Sequence, residues 1–121
     1  MHNLRGLDML LLSTKGRHTG HIKETPLLYV EEGGRYYCAA SFAGSDVNPQ
    51  WFMNLVADTN VELLLRQRRF AAVAHVTTGS ERCSAWTKLV EYYSDFAKYQ
   101  NRTERTIPVV RFESVSYPGV T

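Results

Sequence analysis

The apolar residues of this chain recur in short runs, each ended by glycine, proline or an Asp-Thr-Asn break, and that punctuation most constrains what it can fold into. Leu7 to Ser13 reads as a buried strand. The turn Thr14-Lys-Gly-Arg-His-Thr-Gly20 follows, with two glycines able to take positive φ. Thr25 to Glu31 and Arg35 to Ser41 read as an antiparallel hairpin about Gly33-Gly34. Asn48-Pro49 predicts a helix start, because asparagine caps free amides and proline loses no needed donor in the first turn. That helix runs to Ala57 and turns Trp51, Phe52, Leu55 and Val56 toward a sheet. Val61 to Arg66 and Phe70 to Thr77 form a second hairpin around Gln67, and Ile107 to Glu113 is the last strand. Between them, Thr78 and Glu81 pattern as a capping box for a helix reaching Phe96, with Trp86, Leu89, Val90, Tyr93 and Phe96 on one stripe. Six short strands in an open sheet would leave two exposed edges. The expected fold is therefore α+β, a small six-stranded antiparallel barrel, closed or half closed, with one short and one longer helix.

A chain of 121 residues, 44% of them hydrophobic, is expected to form a single domain spanning 1–121, with room for one core and one pocket. Any activity must use a compact site, with a borrowed cofactor or a second subunit where the chemistry needs one. Fourteen Lys and Arg against twelve Asp and Glu leave +2, too little to point to nucleic acid or an anionic membrane. The longest apolar run, Met9 to Leu12, falls far short of the about 20 residues that span a bilayer. Cys38 and Cys83 make no disulfide framework, and the chain opens without a secretory signal, so a cytoplasmic protein is expected.

Self-contained catalysis finds little support. His18, His21, Cys38, His75 and Cys83 lack zinc-site spacing, and no nucleophile elbow, Walker loop or dinucleotide glycine motif occurs. What remains is the basic turn Lys15 to Gly20 with Lys23 beyond it. Arg17 can fork a phosphate, Thr19 can donate a hydroxyl, and glycine lets backbone amides approach an anion; a solvated hairpin turn is the alternative reading. A second candidate is Ala39-Ala40-Ser41-Phe42, where small side chains let a planar ring lie against the backbone, with Trp51 either walling that ring or packing as core. Arg66, Arg68 and Arg69 read as a solvated hairpin tip, and Arg102, Glu104 and Arg105 as another solvated turn. Tyr92, Tyr93, Phe96 and Tyr99 either line an acceptor pocket or close a packed helix end.

The succession of Leu10-Leu-Leu-Ser-Thr-Lys-Gly-Arg-His-Thr-Gly20, Thr25-Pro-Leu-Leu-Tyr29, Gly33-Gly-Arg-Tyr36, Asn48-Pro-Gln-Trp51 with Asn54-Leu55, Tyr99-Gln100 and Ile107-Pro-Val109 resembles the deazaflavin-dependent nitroreductase family, from about Met9 to Glu113. The resemblance implies a split β-barrel of the flavin-reductase type that binds coenzyme F420 and passes hydride to quinones, nitroaromatics or similar acceptors. It puts phosphate and tail contacts on Arg17, His18, Thr19 and Lys23, Glu24, Thr25, Pro26, Leu27 and Leu28. Ring contacts fall on Ala39, Ala40, Ser41 and Phe42, on Gln50, Trp51, Phe52, Met53 and Asn54, and on Phe96. His18 and Phe42 stand where the family commonly has lysine, and Glu24 where a second basic residue often follows Lys23. Since each charge-assisted contact is worth about 1.5 to 3 kcal/mol, these changes imply weaker holding of a polyglutamylated tail. FMN, with one phosphate and no such tail, is the alternative cofactor, and a non-catalytic carrier of either ring the alternative function. Phe96 takes a position where the family often has tyrosine, so Ser41 and Tyr93 are the hydroxyls left as catalytic candidates. Only Met1 to Gly6 precede the first strand, where relatives often carry an amphipathic segment, so no membrane association is expected. A homodimer is expected by analogy, and no metal or nucleic-acid partner.

Overall fold

The computed structural model describes residues 3–4, 7–41 and 44–115, so Phe42 lies outside the described residues. The chain order is β1 (Asn3–Leu4), β2 (Leu7–Lys15), β3 (Ile22–Leu28), β4 (Val30–Glu32), β5 (Arg35–Ala39), α1 (Gln50–Ala57), β6 (Asn60–Leu65), β7 (Arg68–Val76), α2 (Gly79–Tyr92), α3 (Asp95–Asn101) and β8 (Val109–Ser114). All pairings are antiparallel. Seven strands run in the order β3-β2-β6-β7-β8-β5-β4, and the two-residue β1 pairs with the start of β2.

The two edge strands, β3 and β4, are separated along the chain by Tyr29 alone. Such a sheet must curl until its edges approach each other, giving an antiparallel half-barrel. Period-two alternation then divides side chains between two packed layers. Leu10, Leu12, Cys38, Ala40, Leu63, Val110 and Phe112 fill the inside together with Trp51, Phe52 and Leu55 of α1. Tyr37, Ala39 and Val109, their sequence neighbours, face outward against Ala85 and Leu89 of α2, Phe96 of α3 and Ile107.

Several expectations need correction. The six strands and two helices become seven strands with a short β1, and three helices. Thr25 to Glu31 divides at Tyr29, where pairing passes from β2 to β5. The long second helix breaks at Tyr93, whose backbone is extended (φ −142°, ψ 95°), and α3 restarts after Ser94. Neither proposed cap forms. Pro49 occupies the N-cap of α1 and Thr78 that of α2, each without a side-chain cap bond. Val56 is exposed, and the polar Asn54 takes the buried place on α1 instead.

Glu81 does different work from a cap. Arg111 Nη1 of β8 donates to both its oxygens at 2.7 Å, and the Tyr37 hydroxyl of β5 donates at 2.9 Å. This ties α2 to the sheet across two strands. The Arg111 bond holds the Glu81 carboxyl below its ordinary 4.5, with Tyr37 adding in the same direction. A carboxylate depressed in the folded state contributes stability above its unfolded pKa and loses that contribution as pH falls through the folded value. Glu81→Gln is therefore expected to flatten the acid limb of a stability profile followed by urea unfolding between about pH 7 and about pH 3. An unchanged acid limb would count against the tether.

Candidate functional site

The turn after β2 is built by its own backbone. Gly16 N–H donates to His21 O at 2.7 Å and Gly20 N–H to Gly16 O at 2.8 Å, while the Thr19 hydroxyl accepts from His21 N–H at 3.1 Å. Gly20 has φ +75°, and a Cβ on Gly16 would stand 2.8 Å from Thr19 Oγ1, so both glycines are required by geometry. The amides of Gly16, Arg17, Gly20 and His21 are thus engaged internally. The anion-binding capacity of the turn rests chiefly on side chains rather than on the backbone cradle anticipated above.

Arg17 is the organised cation. Its backbone N–H donates to Asn54 Oδ1 at 3.2 Å, Nη1 to the same oxygen at 2.9 Å and Nη2 to Gln50 Oε1 at 2.9 Å. Asn54 in turn donates from Nδ2 to Thr14 Oγ1 of β2 at 3.4 Å, and both residues are buried. Two of five guanidinium N–H groups are held by neutral amides among the described residues, leaving three donors for an anion. Among the described residues no carboxylate is paired with Arg17, so there its charge stands uncancelled.

Gly16, Arg17, His18, Thr19, Lys23, Glu24 and Thr25 of the turn and β3 face Gln50, Trp51 and Asn54 of α1 across a cleft of about 400 Å³. Glu24 does not stand alone there: Arg69 of β7 lies 3.7 Å from it and 2.7 Å from Glu62. A second hollow of about 440 Å³ meets the first at Thr25, Gln50 and Trp51 and is otherwise lined by Pro26, Leu27, Ser41, Val47, Asn48 and Pro49. It opens where β3 and the end of β5 part. Continuing the Val30–Tyr37 register would set Pro26 opposite Ser41, yet pairing stops at Val30 and β5 ends at Ala39. Proline has no amide to donate and is tolerated on such an edge. The Ser41 hydroxyl is buried without a hydrogen-bond partner among the described residues. An orphaned hydroxyl beside an apolar slot is a place for a ligand polar atom.

Several of the sequence candidates therefore gather here. Arg17, His18, Thr19, Lys23, Glu24, Thr25, Pro26, Leu27, Ser41, Gln50, Trp51 and Asn54 all line one or other hollow. Ala40 lies beneath, in the interior layer with Trp51 and Phe52, whereas Ala39 and Leu28 face the outer layer, as strand alternation requires. Met53 is on the exposed side of α1. Phe96 packs between Trp86, Tyr93 and Tyr99 under α2 and lines neither hollow. The Tyr93 hydroxyl lies 3.3 Å from that of Tyr99; this bond, then burial, raises its pKa, which makes it a poor proton donor at neutral pH. Cys38 is fully buried, and burial pushes its thiol up, away from nucleophilic or ligand chemistry. Among the described residues no three His, Cys, Asp or Glu side chains converge as a metal site.

Two residues of consequence escaped the sequence reading of this region. Asn54, expected at the ring, also anchors Arg17, and the signal for that role is a polar side chain on the buried face of an apolar helix. Arg105, read as part of a solvated turn, is half buried and bonded to Ser45 and Asn48. Asn54→Asp should keep the geometry while pairing Arg17 with a carboxylate. It is expected to weaken binding of a phosphate-bearing ligand about tenfold or more, with little loss of stability, as read by titration and urea unfolding. Unchanged affinity would remove Arg17 as the anion receptor.

The sequence profile of the F420H(2)-dependent quinone reductases matches residues 1–114. An F420H(2)-dependent quinone reductase of Mycobacterium tuberculosis is 35% identical over 104 residues, covering 84% of this chain and 70% of that protein. The solved structure of an F420-H2 dependent reductase superposes with a TM-score of 0.82 at 34% identity, over 93% of this chain and 99% of that one. A chain described as a domain-swapped dimer also gives 0.82 at 34%, over 88% of this chain and 80% of its own length. HutZ, the heme storage protein of Vibrio cholerae, shares the fold alone, with a TM-score of 0.71 at 13% identity over 93% of this chain and 85% of that one. The match across almost the whole sequence and the closeness of these relatives place the chain in the F420H(2)-dependent quinone reductase family, whose members oxidise reduced coenzyme F420 and reduce a quinone.

Proposed function

We propose that the two joined hollows form the cofactor site of this reductase, with the phosphate of coenzyme F420 on the Arg17 fork and its planar ring in the slot between Pro26, Leu27 and Ser41. The observation that carries this reading is the Arg17–Asn54–Gln50 arrangement, a guanidinium aimed by neutral amides and opening onto an apolar slot. The residues present suit the group: a fork for phosphate, a Trp51 wall, and an orphaned Ser41 hydroxyl for a polar edge of the ring. Lys23 adds charge at the cleft, and the Arg69 partner offsets Glu24, so the acid costs the anion site less than the sequence alone suggests.

When bound in its reduced form, the deazaflavin supplies the hydride. The protein's part is to hold and to exclude. Arg17 binds the anionic end, Pro26, Leu27 and Trp51 keep water from one face of the slot, and Ser41 Oγ fixes the ring's rotation. Proton delivery to the reduced quinone is assigned to solvent, and the acceptor is a planar quinone or nitroaromatic stacked on the open side. The assembly is proposed to be a homodimer of single-domain chains, on the pattern of the domain-swapped neighbour.

Fluorescence titration with F420 and, in parallel, FMN tests the reading. F420 is expected to bind and FMN to bind more weakly, and oxidation of reduced F420 by menadione should be catalysed. Arg17→Ala is expected to raise the Kd for F420 about 10- to 150-fold, the loss of one charge-assisted contact of about 1.5 to 3 kcal/mol. Binding of F420 without turnover would leave a carrier, and equal affinity of wild type and Arg17→Ala would move the phosphate elsewhere.

A further inference from the structure

The wall of the ring slot opposite β3 is a stretch without regular structure. Residues 44–48 belong to the connection between β5 and α1, and among the described residues the one hydrogen bond within them is Val47 N–H to Ser45 Oγ at 3.2 Å. Among the described residues their other hydrogen bonds come from the connection between α3 and β8. Arg105 Nε donates to Ser45 O at 2.9 Å and Nη1 to Asn48 Oδ1 at 2.9 Å, while Nη1 and Nη2 lie 3.5 and 3.4 Å from Ala40 O. The Thr103 hydroxyl donates to Asp46 Oδ1 at 2.6 Å. Gly44, with φ +81°, sits so close to α3 and this connection that a Cβ would be 2.9 Å from both Tyr99 O and Arg102 Cβ.

The arginine is itself anchored. Gln100 of α3 donates from Nε2 to Arg105 O at 2.7 Å and accepts from Ile107 N–H at 3.0 Å, which fixes the backbone on both sides. Ala40 N–H donates to Pro108 O at 2.8 Å, so the Ala40 carbonyl faces the β8 side, where Pro108 has no amide to offer and Arg105 supplies the donor. A planar cation that reaches this carbonyl, Ser45 and Asn48 together ties residues 45–48 to the end of β5 and so sets the width of the slot they line.

Resting on the cofactor reading above, we propose that Arg105 is a positioning residue for hydride transfer. Through Ala40, Ser45 and Asn48 it holds the 44–48 wall at the distance from Pro26 and Leu27 that a flat ring requires. The ring's placement, and with it the distance from donor to acceptor carbon, depends on this contact. Thr103 is the outer half of the same clasp.

The test compares wild type, Arg105→Gln, Arg105→Lys and Thr103→Val. In cofactor-free protein, hydrogen exchange at residues 44–48 is expected to quicken about tenfold in Arg105→Gln, and the Kd for F420 to rise about tenfold. Turnover with saturating reduced F420 should fall by a further about tenfold, because misplacement of about 1 Å is costly to transfer. Arg105→Lys, which keeps charge but lacks the fork, should recover little of either. Should Arg105→Gln fail to fold, Thr103→Val carries the test, with exchange and Kd moving in the same direction about threefold. A lowered melting temperature with exchange, Kd and turnover all within about twofold of wild type would overturn the proposal and leave Arg105 a structural residue. Wild type that binds no F420 would contradict the cofactor reading instead, and the exchange measurement would still decide the clasp.

Discussion

Tyr29 is the one residue between the strands that form opposite edges of the sheet, and the rest of the molecule follows from that continuity. A flat sheet cannot have a single bent segment as both its margins, so the strands curl, one set of side chains fills the inside and α1 covers the end. The Tyr29 ring is buried and meets Tyr36 edge to face at 5.9 Å, with Phe70 5.9 Å beyond Tyr36, so the bend is packed rather than free. Closure stays incomplete on one side. Where Pro26 and Ser41 would be opposed, the strands part, and the slot opens.

The electrostatic design of the site is spare. A net charge of +2 says nothing about partners, yet Arg17 is held by amide oxygens instead of carboxylates, so its full charge faces the cleft. Glu24 is drawn toward Arg69, which also serves Glu62. Exposed pairs of this sort contribute little to stability, but they alter the field an anionic ligand meets. Glu81, by contrast, is engaged by Arg111 and Tyr37 on the outer layer and takes part in architecture alone.

Much of the architecture was legible because hydrophobic period and turn chemistry agree: Gly33-Gly34 makes the β4–β5 hairpin, and Arg66 and Gln67, both at positive φ, make the β6–β7 turn. The misreadings share a cause. Thr78 with Glu81 and Asn48 before Pro49 have local capping patterns, but distant arginines won those side chains: Arg111 took Glu81, and Arg105 took Asn48. Local pattern does not reveal long-range partners. Tyr93 ends a helix that its apolar stripe would continue, a tertiary override of periodicity. In the site, the basic turn and small-residue strand end were visible as residues, whereas the anchoring role of Asn54 needed the helix and the turn to be placed together.

Arg17, aimed by Asn54 and Gln50, is the proposed seat of the cofactor's phosphate at the mouth of the Pro26–Ser41 slot. A crystal structure of the complex with F420 measures this directly. A phosphate oxygen is expected within hydrogen-bond distance of the Arg17 guanidinium, with the deazaflavin ring in the slot between Pro26, Leu27 and the 44–48 wall. A phosphate bound away from Arg17, or a ring lying on the outer layer against Phe96 and Tyr93, would contradict it.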